Sequence, residues 1–117
     1  MSITHPQLVQ ALAKPGADIV ATLTAEDAHS LHMAVGIAGE AGELLDAIKK
    51  AAIYRKPIDR ENVVEELGDL EFYMEGLRQG LGITRDEVLT YNIAKLSKRY
   101  SSGTYSNKQA QDRADKV

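Results

Sequence analysis

The apolar and polar positions of this chain recur with the period of an α-helix, and no segment shows the sustained two-residue alternation of a half-buried strand. A first short helical segment is predicted from Pro6 to Ala13, where the Pro-Gly pair at 15–16 follows its end. A second, long helix is predicted to begin after Thr24, which forms a capping-box pattern with Asp27. Its apolar periodicity continues to about Ile53.

Two further helices are predicted in the second half of the chain. Asp59 is a suitable N-cap for the third helix, which is expected to end near Gly80 or Gly82. Thr84 and the glutamate three residues later form another capping-box pattern, opening a fourth helix that runs to about Tyr100. The sequence therefore predicts an all-α fold with three substantial helices and a shorter leading one.

Domain organisation follows from this pattern. Residues 1–103 are expected to form one helical domain, and residues 104–117 a polar tail that is either disordered or packed on a neighbouring subunit. Small domains bury little core alone, so we expect the helical bundle to be completed by oligomerisation. The apolar stripe of the second predicted helix consists of Met33, Ile37, Leu44, Ile48 and Ala51. That of the third consists of Val63, Leu67, Leu70, Met74, Leu77 and Leu81, and Val64 lies off this stripe.

Composition narrows the functional classes. The chain has 117 residues with 14 Lys and Arg against 17 Asp and Glu, a net charge of −3, which argues against direct nucleic-acid binding. It has no Cys, which excludes disulfides and thiolate metal sites. Neither a secretory signal nor a stretch of about 20 apolar residues is visible, so we expect a cytoplasmic protein that does not bind membranes.

Four acidic residues border the two apolar stripes. At about 100° per residue, Glu40 and Glu43 lie on one edge of the second helix, and Glu66 and Asp69 on one edge of the third. The pattern is E-x-x-E, 22 residues, then E-x-x-D. Packing the stripes together brings the carboxylates to one rim, where they repel unless a cation such as Mg²⁺ or Mn²⁺ binds them. The alternative is that these acids form only solvated helix faces.

Two other features are candidates for ligand binding. Asn92, Lys95 and Arg99 share one face of the fourth helix, and such a face suits a polyphosphate. The alternative is an exposed basic face near a helix C-terminus, where cations are favoured anyway. Gly36 lies near the Glu40 side of the second helix and serves either close packing or space for a ligand.

Three segments carry a resemblance to a known family: GEAGELLDAIKK, ENVVEELGDLEFYM and NIAKLSKRY. Together they resemble the MazG-like all-α nucleoside triphosphate pyrophosphohydrolases, in particular the short single-domain type of bacteriophages and bacteria. The resemblance spans about residues 31–100. It implies hydrolysis of the α–β phosphoanhydride of a nucleoside or deoxynucleoside triphosphate, giving the monophosphate and pyrophosphate, in nucleotide-pool control or removal of unwanted nucleotides.

The resemblance also implies roles for individual residues. Mg²⁺, with Mn²⁺ as a substitute, is expected at the four acids, and Glu40 or Glu43 is expected to hold or deprotonate the attacking water. Asn92 and Lys95 match positions that contact substrate phosphates or sugar, and Tyr73 matches an aromatic residue lining the site. Arg99 and Lys50 complete the candidate substrate-binding set. Members act as dimers or dimers of dimers.

Competing interpretations remain at this point. One is phosphoribosyl-ATP pyrophosphohydrolase, which uses the same metal chemistry on another adenine nucleotide. Another is a non-catalytic helical interaction module. The chain has no Walker A loop, so it is not a P-loop NTPase. It also has no Trp, which argues against a Trp-lined base pocket.

Overall fold

The computed structural model describes residues 2–116. The first residue of the predicted domain 1–103 and the last residue of the predicted tail 104–117 lie outside the described residues. The described residues are helical and contain no strand, which confirms the all-α prediction. The elements in chain order are α1 His5–Leu12, α2 Gly16–Thr22, α3 Ala25–Ala52, α4 Arg60–Leu81, α5 Arg85–Arg99, α6 Asn107–Asp112 and a 3₁₀ turn Ala114–Lys116.

Local side-chain bonds define where the three long helices begin. The Thr24 hydroxyl accepts from the Asp27 N–H at 3.0 Å, and the Asp27 carboxylate accepts from the Thr24 N–H at 3.1 Å, so the predicted capping box is present. Asp59 and Thr84 each accept from the N–H three residues later, at 3.0 and 3.1 Å. Gly82 ends α4 with a left-handed φ of 68°, a conformation that glycine adopts without a Cβ clash.

The core of the chain is an antiparallel hairpin in which α3 packs along α4. Met33 and Ala47, at 7% and 8% exposure, are its most buried side chains. The helices approach closely where α4 carries glycine: the Met33 side chain lies at Gly76, and the imidazole of His29 lies at Gly80. Close approach removes apolar surface of both helices from water. The predicted stripes are only partly covered, since Leu67 and Leu81 on α4 stay 45% and 56% exposed.

Two of the α-helices, α2 and α6, were not predicted. Residues 16–22 form α2, although the sequence indicated only the end of the preceding segment there. Pro15 occupies the N-cap and makes no side-chain capping bond, and the helix has only 7 residues. A segment this short carries too few turns for an apolar period to be recognised.

The polar tail contacts its own chain. Its residues 104–116, called here the C-terminal segment, turn back and pack on α5. The guanidinium of Arg99 donates to both carboxylate oxygens of Asp115, at 2.7 and 3.2 Å. Gln109 adds hydrogen bonds to Ser101 and Ser102. Disorder of this tail and its packing on a neighbouring subunit both stay predictions.

Much apolar surface stays exposed on the single chain. All described residues of α1 and α2 are exposed, and α5 packs with the C-terminal segment rather than with α3 or α4. Ile93 on α5 and Leu45 on α3 are 67% and 68% exposed. Among residues 2–116, no helix has the length and hydrophobicity needed to cross a lipid bilayer.

The α3–α4 contact generates a prediction about glycine. A Cβ at Gly36 would overlap the Tyr73 ring, whereas a Cβ at Gly39 on the same helix meets nothing within 4 Å in the chain. Gly36→Ala should lower the free energy of unfolding by about 1–2 kcal/mol, because overpacking outweighs the gain in helix propensity. Gly39→Ala should raise it by up to about 1 kcal/mol. Thermal or urea unfolding of both variants at equal concentration checks this, and equal effects would contradict it.

Candidate active site

The hairpin brings acids of both long helices together at one edge. Carboxylate oxygens of Glu40 on α3 and of Glu66 and Asp69 on α4 all lie within 4.8 Å of one another. Glu66 and Asp69 share a side of α4 because residues three apart are neighbours on a helix surface. These three acids are called the acidic cluster below.

Glu43 stands at the margin of this arrangement. The sequence predicted that it would converge with the other three acids, but it is exposed and does not belong to the group of oxygens within 4.8 Å. Its charge is still close enough to contribute to the raised pKa of Glu66. Three of the four predicted acids are therefore brought together, with the fourth at electrostatic range.

The surroundings of Glu66 in the acidic cluster raise its pKa. Its pKa is raised to about 7, first by a shared hydrogen bond with Glu40, then by burial and by the charges of Glu40, Glu43 and Asp69. One oxygen of Glu66, Oε2, is buried without a hydrogen-bond donor among residues 2–116. Two ionised carboxylates cannot donate to each other, so these oxygens need either a proton or a cation between them.

Aromatic side chains form a wall next to the cluster. Tyr73, one turn after Asp69 on α4, lies over the backbone of Gly36, so close packing rather than ligand space explains this glycine. Its ring meets His32 and Phe72 edge-on, with centroids 6.2 and 5.2 Å apart. The predicted site-lining residue is thus fixed in orientation by both helices.

Lys50 extends the polar edge of α3. Its ammonium pairs with the Asp46 carboxylate at 3.0 Å, one turn earlier on the helix. The Asp46 hydrogen bond and charge raise the pKa of Lys50, and Glu43 adds to the effect. Both partners are more than half exposed, so the bond exchanges readily with water and leaves the lysine available to a ligand.

Two of the three residues predicted on α5 line separate cavities. Asn92 lines a groove of about 460 Å³ whose walls include Ile93, Leu96, Tyr100 and Tyr105. Lys95 lines a smaller cavity of about 210 Å³, shared with residues of the C-terminal segment.

The Arg99 guanidinium, the third predicted residue, donates two hydrogen bonds to the Asp115 carboxylate. The main packing contacts of α5 among the described residues are with the C-terminal segment rather than with the hairpin that carries the acidic cluster.

Sequence reasoning missed the contribution of the C-terminal segment. Lys98, Asp115 and Lys116 line the smaller cavity together with Lys95, and the sequence pattern indicated a site role for none of these three residues. Lys98 follows Lys95 by three residues, so helix spacing alone indicates that the two lysines are neighbours on α5. Asp115 and Lys116 gave no such signal, because a chain reversal outside any periodic pattern places them there.

The raised pKa of Glu66 generates a pH prediction for the metal-free protein. A folded-state pKa near 7, against 4.5 for the free side chain, means that the folded protein holds this proton more tightly. The resulting stability is fully present below about pH 4.5 and is lost as the pH rises through 7. Glu66→Gln should remove this dependence and raise the melting temperature at pH 8 by a few degrees.

Thermal unfolding in EDTA across this pH range checks the prediction. Glu71→Gln is the matched control, since this acid lies exposed on the same helix. The assignment is contradicted when Glu66→Gln and the wild type lose stability in parallel between pH 5 and 8, or when Glu71→Gln has the same effect.

Comparison with known proteins identifies the domain. The family model of the MazG nucleotide pyrophosphohydrolase domain matches residues 28–103, which include the acidic cluster, Glu43 and all of α5. The searches of curated proteins and of solved structures each found no match. The matched range covers well over half of the chain and agrees with the all-helical architecture and the paired acids. The chain therefore belongs to the MazG nucleotide pyrophosphohydrolase domain family.

Proposed function

We propose that this protein hydrolyses the α–β phosphoanhydride of nucleoside or deoxynucleoside triphosphates, releasing the monophosphate and pyrophosphate. The observation that carries the proposal is the acidic cluster on the packed edge of α3 and α4, within a domain of the nucleotide pyrophosphohydrolase family. Such an activity serves nucleotide-pool control or removal of unwanted nucleotides in the cytoplasm.

A divalent cation fits the acidic cluster. Its donors are carboxylate oxygens from Glu40, Glu66 and Asp69, which Mg²⁺ and Mn²⁺ prefer. The buried Glu66 oxygen without a donor supports the same assignment, because a cation satisfies it without a proton. We assign Glu43, at the margin, as a further ligand or as a base. When bound, the cation polarises phosphate oxygens and lowers the pKa of bound water.

The remaining chemistry belongs to side chains of this chain. Glu40 or Glu43 holds the attacking water and accepts its proton, for which a carboxylate within hydrogen-bond reach suffices. Asn92 and Lys95 bind phosphate or sugar oxygens, and Lys50 adds positive charge at the α3 edge. Tyr73 forms an aromatic wall for the nucleotide. Arg99, held by Asp115, stabilises α5 and is only indirectly involved in substrate binding.

We propose that the working form is a homodimer or a dimer of dimers. In one chain, Asn92 and Lys95 lie on a helix that does not pack on the hairpin, and apolar side chains of α1, α2 and α5 are exposed. A second copy buries this surface and brings its α5 to the acids of the first. Exposed apolar surface of this extent favours such association.

The decisive experiment resolves products. The purified protein is incubated with a panel of canonical and modified NTPs and dNTPs, with Mg²⁺ and separately with Mn²⁺, and products are separated by ion-exchange chromatography. Monophosphate plus pyrophosphate is expected from one or a few substrates. Release of nucleoside diphosphate and orthophosphate would contradict α–β cleavage. Turnover of phosphoribosyl-ATP alone would assign the related reaction instead, and an inert protein would leave a helical interaction module.

Neutral variants test the assignment of the acids. Asp69→Asn and Glu43→Gln should each lower kcat by at least about 100-fold, because ligand or base function requires the charge. Both should leave the melting temperature unchanged or higher, since carboxylate repulsion is relieved. Glu71→Gln, on the solvent side of α4, should retain wild-type activity.

Metal binding gives a readout independent of turnover. At 100 times its dissociation constant, a cation that binds only the folded state stabilises it by about 2.7 kcal/mol. Mg²⁺ or Mn²⁺ should therefore raise the melting temperature of the wild type and not that of Glu43→Gln/Asp69→Asn. A rise that persists in the double variant would place the cation elsewhere.

A further inference from the structure

We propose that residues 4–23, called here the N-terminal arm, dock into the groove between α5 and the C-terminal segment of a second copy of this chain. The two copies then exchange arms reciprocally, so that each groove is filled by the other chain. This inference rests on the association of two copies proposed above and not on the reaction. The arm lies outside the family match, which begins at residue 28.

The N-terminal arm is helical although it is exposed along its whole length. Its helices α1 and α2 have 8 and 7 residues, and helices this short are marginal in water unless tertiary packing stabilises them. Every residue from 2 to 29 is exposed, and neither helix takes part in the main packing contacts of the described residues. The arm therefore needs a surface to pack on.

The side chains of the arm suit an apolar groove. Leu8 and Leu12 lie one turn apart on α1, and Val20 is the most exposed apolar side chain of α2. Leu12 and Val20 are 74% and 72% exposed. Lys14 and Asp18 have opposite charges, so the formal net charge of the arm is zero with His neutral. Short amphipathic helices bind by laying such apolar side chains into a groove.

The groove on α5 has the same uncharged character. Its volume is about 460 Å³, and no charged side chain lines it. Ile93 and Tyr105 are 67% and 73% exposed, and the rings of Tyr100 and Tyr105 lie 5.8 Å apart. At about 100° per residue, Ile93 and Tyr100 share the middle of this face, and Asn92 lies at its margin toward Lys95. A docked arm therefore leaves Asn92 and Lys95 on the side proposed for the substrate.

Exposed apolar side chains of the hairpin are poorer partners for the arm. Val64 and Phe72 on α4 are 63% and 68% exposed, but each is adjacent in sequence to an exposed glutamate, Glu65 and Glu71. Docking on this surface would take carboxylates out of water, and the arm has only one lysine to pair with them. Docking in the groove desolvates no charged group of its lining.

The surface area of the chain favours a second copy as the partner. Its accessible surface is 9504 Å², against about 6,300 Å² for a compact monomer of this size. Its radius of gyration is 20.3 Å, against about 13 Å. The excess surface of about 3,000 Å² is several times the roughly 800 Å² that each partner buries in a standard interface. A second copy supplies both a groove and another arm, so one reciprocal exchange covers all four surfaces.

The experiment is disulfide crosslinking in the full chain, which has no cysteine of its own. Leu12→Cys and Ile93→Cys are placed on separate chains with distinguishable tags, co-expressed and oxidised, and the products are separated on a non-reducing gel. A disulfide requires Cα atoms within about 7 Å of each other. We expect a covalent dimer with one chain of each variant. Leu12→Cys with Val64→Cys, a position of similar exposure to Ile93, should give none.

Other crosslinking results would overturn the exchange. Equal crosslinking to Val64→Cys would place the arm on the hairpin. An intrachain disulfide in the double variant Leu12→Cys/Ile93→Cys, seen as a monomer on the gel, would show that the arm docks on its own chain. No disulfide to Ile93→Cys in a protein that sediments as a dimer would refute the arm and leave the association standing, whereas a protein that sediments as a monomer would refute both. Neither readout uses hydrolysis, so an inert enzyme leaves this inference intact.

A charge on the apolar side of α1 gives an independent measurement. Leu12→Asp should raise the dissociation constant of the dimer at least about tenfold, because a large apolar side chain no longer enters the groove. Gln10→Asp is the matched control, since it adds the same charge to the opposite side of α1 and should change the constant by no more than about twofold. Sedimentation equilibrium measures both constants. Equal effects of the two variants would contradict docking through this side of the helix.

Discussion

The close packing of α3 on α4 is the constraint on which the rest of the site depends. Apolar burial along the two stripes favours this contact, and the same contact forces Glu40 against Glu66 and Asp69. Burial and like-charge repulsion therefore oppose each other along a single interface. The raised pKa of Glu66 is the consequence, because the folded chain relieves the repulsion by keeping a proton.

Charge is unevenly distributed over the molecule. The hairpin carries the acidic cluster, and Lys95 and Lys116 lie on α5 and the C-terminal segment, whose main contacts are with each other. The triphosphate that we propose as substrate needs both acidic and basic groups, since its oxygens bind a divalent cation at one end and lysine or arginine along the rest. The exposed apolar surface of α5 and the separation of charges have one common resolution, which is the association of two copies that we propose.

The periodic pattern of apolar residues predicted most of the fold. The spacing of apolar residues predicted α3 and α4 and the side on which they meet. The cap residues Thr24, Asp59 and Thr84 predicted the first residues of α3, α4 and α5 to within one position. Spacing also placed Glu66 and Asp69 on one edge of α4. It did not separate Glu40 from Glu43, because residues three apart differ by about 60° around a helix. Which of the two faces the partner depends on the rotation of α3, set by contacts such as Tyr73 on Gly36.

Other features escaped prediction because they lack any period. The Arg99–Asp115 pair joins residues 16 apart through a chain reversal, and nothing in the local sequence indicates it. It altered the interpretation of α5, because Arg99 was expected to bind phosphate and is instead occupied. Lys116 was expected in a tail and instead lines a cavity with Lys95. Long-range ion pairs of this kind need tertiary structure to be seen.

A proton and the divalent cation that we propose each relieve the same carboxylate repulsion at Glu66. Both satisfy its buried oxygen and both relieve repulsion from Glu40, so they compete for the same position. A proton serves this purpose up to a pH near 7, which lies within the range in which cells operate. Cation affinity must therefore fall as the pH decreases through that value, because each binding event then displaces a proton. The stability of the hairpin and the phosphate chemistry that we propose for it are thus linked through one carboxyl group.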